Sequence, residues 1–257
     1  MIETFEYHQA PTERGPLPLE VDLFRTGAPQ PRGTVVWLHS GGFRSGSRKS
    51  PKHAGIAAEL NSQGYDALFP SYRLGRDKPV CGIKWRRIHR MDAEVAALGE
   101  GLTVHFTRRL AMAAVEDTVA LLYWLRDRPD LHGIAGPVCL CGSSAGGITA
   151  LNVLYASDLA QVRRPDNISS VFVASGAFAY ATSRVTGEVP VLALHNPADT
   201  RVPIAPIRRL AAHDPARIRL IETTIEHGGI RAHPAEPLAE AVARILHHDR
   251  TARNLDL

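Results

Sequence analysis

Apolar and polar positions along this chain follow two periods, and the switch between them divides it into strands and helices. Residues 2–8 and 17–25 read as strands, and Pro11 with Gly15-Pro16 between them predicts an edge hairpin. After a loop at 27–33, the run Thr34-Val35-Val36-Trp37-Leu38-His39 is almost continuously apolar, as in a parallel strand covered on both faces. A helix around 53–63 and a strand at 66–70 complete a βαβ-like unit. Further strands are predicted at Val138-Cys139-Leu140-Cys141, 170–174, 189–194 and 218–223. Helical spacing recurs at Met91, Val95 and Leu98, and again at Val115, Val119 and Leu122, ending near Asp127-Arg128-Pro129. It returns at Ile148, Leu151 and Tyr155, and over 237–248. Strands alternating with helices predict an α/β fold with a mostly parallel central sheet flanked by helices, built as one domain over 1–257.

The bulk properties change this picture little. A chain of 257 residues is long enough for one α/β domain with a substantial core. Hydrophobic content of 44% and charged content of 22% are ordinary for a globular protein. The net charge of +4 comes without a long basic tract, so no nucleic-acid partner is expected. The opening Met1-Ile2-Glu3-Thr4-Phe5-Glu6-Tyr7-His8 has neither a basic nor an apolar leader region, and no apolar run approaches a membrane span. Three cysteines make no disulfide framework, and Cys139 and Cys141 are expected on opposite faces of one strand, which disfavours a bond between them. A reduced cytoplasmic protein with no membrane partner is the expectation; a homodimer is compatible with the sequence.

The chemistry concentrates where a strand breaks off into small residues, Gly142-Ser143-Ser144-Ala145-Gly146-Gly147, and a helix begins. Gly-x-Ser-x-Gly between a strand and a helix predicts a nucleophile elbow: the central serine sits in a strained turn, and positions two before and two after must lack side chains. Gly142 and Gly146 meet that need for Ser144, whereas Ser143 has no such pair. A serine hydroxyl needs a base, and the base needs a carboxylate to orient it. Asp199 follows the strand at 189–194 and His227 follows the strand at 218–223, both on the sheet edge that carries the elbow. Asp214 and Glu226 are the reserve acids, and His233, which precedes Pro234, is the reserve base. For the oxyanion, the amide of Ala145 and those of Gly41 and Gly42 in Ser40-Gly41-Gly42 are the expected donors.

Together, His39-Ser40-Gly41-Gly42-Phe43, Ser71-Tyr72-Arg73-Leu74, the elbow and Asp199 with His227 resemble the α/β-hydrolase superfamily. Within it the chain is most similar to the carboxylesterase/lipase branch related to hormone-sensitive lipase, whose hallmark is His-Gly-Gly-Gly before an aromatic residue. The resemblance runs from about Thr34 to the last helix. It implies an α/β-hydrolase fold with Ser144 as nucleophile, Asp199 as acid, His227 as base, and Gly41, Gly42 and Ala145 as oxyanion donors. It also implies a serine esterase acting on small-to-medium carboxylic esters through an acyl-enzyme, without cofactor or metal. Ser40 departs from the hallmark by standing where its first glycine would be. An amide-cleaving relative, arylformamidase-like or peptidase-like, would use the same residues; a non-catalytic ligand-binding relative typically loses one of the three.

Residues 75–109 depart from the regular alternation. They hold the basic patch Lys84-Trp85-Arg86-Arg87-Ile88-His89-Arg90, a short helical repeat, then Gly99 and Gly101. A structureless loop of this length is unusual in a compact domain, so a partly helical insertion is expected. It leaves the sheet near Ser144, and a cap over the site mouth is predicted, with Phe43, Trp85 and Met91 lining the substrate pocket; the alternative is packing on the sheet's flank or at a dimer contact. The basic patch is expected to be a solvated or cap face. Three weaker signals carry nothing: Gly41 to Arg48 lacks the phosphate-loop lysine, since Ser47 stands there; no His-Glu-x-x-His or Cys/His spacing predicts a metal; and His195 and His247-His248 read as a loop histidine and a solvated helix end.

Overall fold

A computed structural model describes residues 2–102, 108–134 and 136–254. Its strands are β1 (Ile2–Thr12), β2 (Gly15–Phe24), β3 (Gly33–Leu38), β4 (Tyr65–Pro70), β5 (Val138–Ser143), β6 (Ile168–Ala174), β7 (Val191–His195) and β8 (Ile218–Glu222). Its helices are α1 (Pro51–Ser62), α2 (Trp85–Leu98), α3 (Arg109–Asp127), α4 (Pro129–His132), α5 (Ala145–Tyr155), α6 (Ala205–His213) and α7 (Leu238–Ala252). The strands form one sheet in the order β1-β2-β4-β3-β5-β6-β7-β8. The hairpin β1–β2 and the pair β2–β4 are antiparallel, and every pair from β4 to β8 is parallel.

The apolar runs of the central strands bury both faces, each facing its own core. Trp37, Cys141, Phe172 and Leu192 form one cross-strand row, buried with Ile56 and Leu60 of α1 and Val242, Ile245 and Leu246 of α7. One position further along, Leu38, Gly142, Val173 and Ala193 are in register. Their side points into the larger core with Val115 of α3, Ile148 of α5, Ile207 of α6 and Met91 of α2. Cys139 and Cys141 share a face, because side chains two apart in a strand point the same way. Their sulfurs approach to 3.5 Å as free thiols, so the expectation of opposite faces is corrected. The hairpin runs longer than expected, Pro11 being tolerated on an edge strand.

Residues 75–102 are not among those lining the cleft at Ser144. At the start of α2, Arg87 donates to the Asp158 carbonyl (2.6 Å), beyond the end of α5. Midway, Glu94 accepts from the Ala181 amide (2.8 Å) and pairs with Arg184; past the helix end, Glu100 pairs with Arg209 of α6. Residues 85–100 therefore follow the flank, the alternative placement expected for this segment. The cause is the stripe Ile88, Met91 and Val95, which buries in the larger core, while Lys84, Arg86 and Arg90 stay solvated. Residues 103–107 of the expected insertion fall outside the described residues. No helix among the described residues is long and apolar enough to cross a membrane.

Below the loop after β4, Arg73 is 1% exposed and binds Asp117 of α3 through backbone and guanidinium, at 2.7 and 2.8 Å. It also reaches Glu116 and the carbonyls of Pro11 and Val80, joining hairpin, post-β4 loop and α3. A buried charge stripped of its partner is expensive. Asp117→Ala is expected to lose about 3–5 kcal/mol in urea unfolding, and Arg73→Met with Asp117→Leu to recover most of it. A loss under about 1 kcal/mol for Asp117→Ala would show that the pair ties nothing together.

Candidate active site

Four loops leave the C-terminal ends of parallel strands and meet at one place. β5 ends in the elbow, where Ser144 has φ 52° and ψ −119° and caps α5. Such a left-handed serine costs on the order of 1–3 kcal/mol and persists only where the surroundings force it. They do: a Cβ on Gly142 would lie 2.4 Å from the Gly146 carbonyl carbon, and one on Gly146 would lie 2.2 Å from the Leu38 carbonyl oxygen. Strand, turn and helix therefore pack backbone against backbone, and Ser144, 6% exposed, is left at the surface of the cleft.

The loop after β8 brings His227 to Ser144. The Ser144 hydroxyl donates to His227 Nε2 at 2.8 Å, and His227 Nδ1 donates to Asp199 Oδ2 at 2.6 Å. The loop after β7 supplies Asp199, whose other oxygen accepts the amides of Arg201 (2.9 Å) and Val202 (3.1 Å). Burial alone would raise this carboxyl, but the His227 bond and those two amides outweigh it and hold the group below its ordinary range. Asp199 thus makes a local turn and an interaction with His227 at once, one oxygen for each.

Further residues hold these loops, and sequence reading passed over them. Asn196 Nδ2 donates to the Ile225 carbonyl at 2.9 Å, tying the Asp199 loop to the His227 loop. Ser175, at φ 50° just beyond β6, accepts the Gly228 amide through its hydroxyl at 2.9 Å. His195 is not a loop histidine: it ends β7, is fully buried and donates through Nε2 to the Val202 carbonyl at 2.9 Å. Burial lowers its ring below the ordinary value and keeps it neutral. The only signal for these roles was position after a strand, which many residues share. His233 is exposed, and Asp214 sits at the start of the turn into β8, away from this edge. Within α7, which continues to Ala252, His247 is exposed and His248 half-buried.

Ser40, Gly41 and Gly42 follow β3 and line the same cleft as Ser144 and His227. Gly41 has φ 130°, and a Cβ there would lie 2.1 Å from the Ser45 carbonyl oxygen, so the loop closes only with glycine. His39 donates through Nδ1 to the Ser40 carbonyl (2.8 Å) and stacks on Tyr72 at 4.1 Å, while the Tyr72 hydroxyl donates to the His39 carbonyl at 2.6 Å. Ala145 opens α5, where first-turn amides have no acceptor within the helix. Three expected pocket residues lie elsewhere. Phe43 is wholly buried and its carbonyl accepts the Gly75 amide; Met91 is in the larger core; Trp85 is 66% exposed, edge-on to His89. The cleft lining is instead Ser40, Ser45, Lys52, Ser143, Arg201 and Gly228 with the residues already named. Among the described residues, no group of three or more His, Cys, Asp or Glu could hold a metal ion.

No protein-family model and no curated sequence matches the chain. Solved structures do. Native esterase 2 of Thermogutta terrifontis aligns with a TM-score of 0.66 at 17% identity, over 95% of this chain and 89% of that one. Its propionate-bound form gives 0.67 at 17%, over 98% and 92%. The form phosphoramylated by tabun gives 0.68 at 15%, over 97% and 94%. The fold of this chain is that of the α/β hydrolases.

The His39 contacts imply a pH dependence. Burial lowers its ring from 6.5 to about 4, outweighing the Ser40 carbonyl that favours the charged form. Between those values the unfolded chain binds a proton that the folded one refuses, so stability falls as pH drops from about 6.5 toward 4 and is flat above. This group contributes up to about 3 kcal/mol of that fall. Urea midpoints at pH 7.5, 6 and 5 should therefore decline less steeply in His39→Asn than in the native chain. Parallel declines would refute the assignment.

Proposed function

We propose that this chain is a serine hydrolase cleaving carboxylic esters through an acyl-enzyme, by the route its geometry supports best. The observation that carries the reading is the unbroken line Asp199–His227–Ser144, 2.6 and 2.8 Å, ending on a serine held at positive φ. His227 takes the Ser144 proton as the oxygen attacks the ester carbonyl, then gives it to the departing alcohol. Asp199, kept ionised, fixes the imidazole tautomer and stabilises the imidazolium. Oxyanion stabilisation falls to the amides of Gly41, Gly42 and Ala145, aided by the N-terminus of α5. Water then attacks the acyl-serine with His227 as base, releasing the acid. That the solved structures it resembles are forms of one esterase, organophosphate-modified forms among them, supports the same reading. We further infer kinship with the branch related to hormone-sensitive lipase, on the post-β3 loop His39-Ser40-Gly41-Gly42-Phe43 and the Tyr72 that braces it.

Two sets of variants test the roles. Ser144→Ala should abolish p-nitrophenyl acetate turnover with unchanged unfolding, Ser143→Ala should keep most of it, and a fluorophosphonate should label Ser144 by mass spectrometry. An adduct on Ser143 overturns the nucleophile. His227→Ala should lower kcat by several orders of magnitude, and Asp199→Asn by about 10⁴-fold through the wrong tautomer. Near-native kcat in Asp199→Asn would remove Asp199 from the mechanism.

A further inference from the structure

We infer, on the ester-hydrolase reading above, that the substrate's acyl half carries a carboxylate read by Lys52 and Arg201, while its alcohol half is apolar and fills a neighbouring groove. The cleft around Ser144, about 600 Å³, is lined by two cations and no carboxylate: Lys52 from the first turn of α1 and Arg201 from the Asp199 loop. The remaining lining is serine, glycine and His227, so nothing apolar recommends a fatty acyl chain. Asp199, on the same loop as Arg201, is committed to His227 and to two amides, and Glu226 lines with Arg201 a separate, smaller space rather than this cleft. Among the described residues, neither Lys52 nor Arg201 forms an ion pair, so both charges are available to a ligand.

A second space continues from His227 and Gly228. It measures about 780 Å³ and runs between α1 and the segment from Thr224 to Leu238, with Pro51, Ile56, Ile225, Ile230, Pro234 and Leu238 on its walls. Lys52, His227 and Gly228 border both spaces. His227 must hand its proton to the leaving oxygen, so the alcohol belongs on the His227 side, where this groove begins. The acyl half is then directed into the cationic cleft. Glu226 and Arg231 border the groove and not the cleft, so the groove, unlike the cleft, has a carboxylate on its wall. An apolar space with few polar groups orients a ligand by shape, whereas paired cations select by charge. In hydrolysis of such an ester, the acyl C–O bond breaks, the alcohol leaves with the imidazolium proton, and water releases a dicarboxylic acid from Ser144.

The test pairs the monobenzyl ester of glutaric acid with benzyl valerate, which replaces the far carboxylate by a methyl group. Benzyl alcohol release gives kcat/KM for each, and the readout is their ratio. The acidic ester should be favoured about tenfold, the ratio should fall several-fold in Lys52→Gln and in Arg201→Gln and approach unity in the double variant, and 0.5 M NaCl should lower it in the native chain. Binding of glutarate against valerate to Ser144→Ala by calorimetry is the readout independent of turnover. Hydrolysis of both esters at a ratio unmoved by the double variant overturns this inference and leaves the esterase reading intact. No hydrolysis of either, with glutarate binding still dependent on Lys52 and Arg201, retains the anion site and overturns the esterase reading. Neither hydrolysis nor selective binding overturns both.

Discussion

The structure depends on one steric constraint, the approach of α5 to β5 and β3 at the turn around Ser144. Where Gly142 meets Gly146, and Gly146 meets the Leu38 carbonyl, there is no room for a single methyl group. That closeness forces the helix to start within the turn itself, drives Ser144 to positive φ and leaves its hydroxyl at the sheet edge. Ladder hydrogen bonds pair β5 with β3 on one side and β6 on the other, so the position of the serine is inherited by the whole sheet. The strain is borne by packing that the surrounding core supplies, since α5 is buried along its full length.

Strands bring the site loops to one edge, but they do not fix them to tenths of an ångström. That is done by polar side chains that never touch the Ser144 hydroxyl. His195 holds the far end of the Asp199 loop at Val202, Asn196 ties that loop to Ile225, and Ser175 holds Gly228 next to His227. On the other side, Tyr72 grips the His39 carbonyl while Arg73, one residue later, anchors the same segment to Asp117. Each brace is buried or half-buried, where a hydrogen bond lost costs more than it does in water. The site is therefore preorganised by its neighbours rather than by its own three side chains.

Much of this was legible in the chain. The central strands read as apolar because both faces are covered, and the elbow read from its glycines because the steric demand admits no other residue. Order along the chain and position after a strand picked out Asp199 and His227, which the structure brings to Ser144. What escaped has physical reasons. Ile204 at the N-cap of α6 and Ile207 and Leu210 within it fall at helical spacing, but the helix is short and Pro206 in its first turn masks it. Ser175 and Asn196 act through bonds across 53 and 29 residues, and no local pattern encodes such distances. The apolar stripe of α2 announced a surface to be buried without saying which, and the larger core beside α3 and α5 took it. Phe43 and Met91 are apolar for the same reason, as core rather than as pocket.

At 15–17% identity the architecture is still shared with the Thermogutta terrifontis esterase 2 structures over nearly the whole chain, and the same division of labour accounts for it. A core needs apolar side chains of about the right volume, which many sequences supply. Backbone contact at Gly142, Gly146 and Gly41 needs one residue type, because only glycine fits. The rim of the cleft is held to neither rule. Lys52 in the first turn of α1 and Arg201 in the loop after β7 are both exposed, and neither supports the core. Such positions can change charge without disturbing the elbow or the strands beneath it. The inferred reading of substrate charge by Lys52 and Arg201 therefore rests on side chains that the fold does not constrain, while the placement of Ser144 rests on backbone that it constrains most.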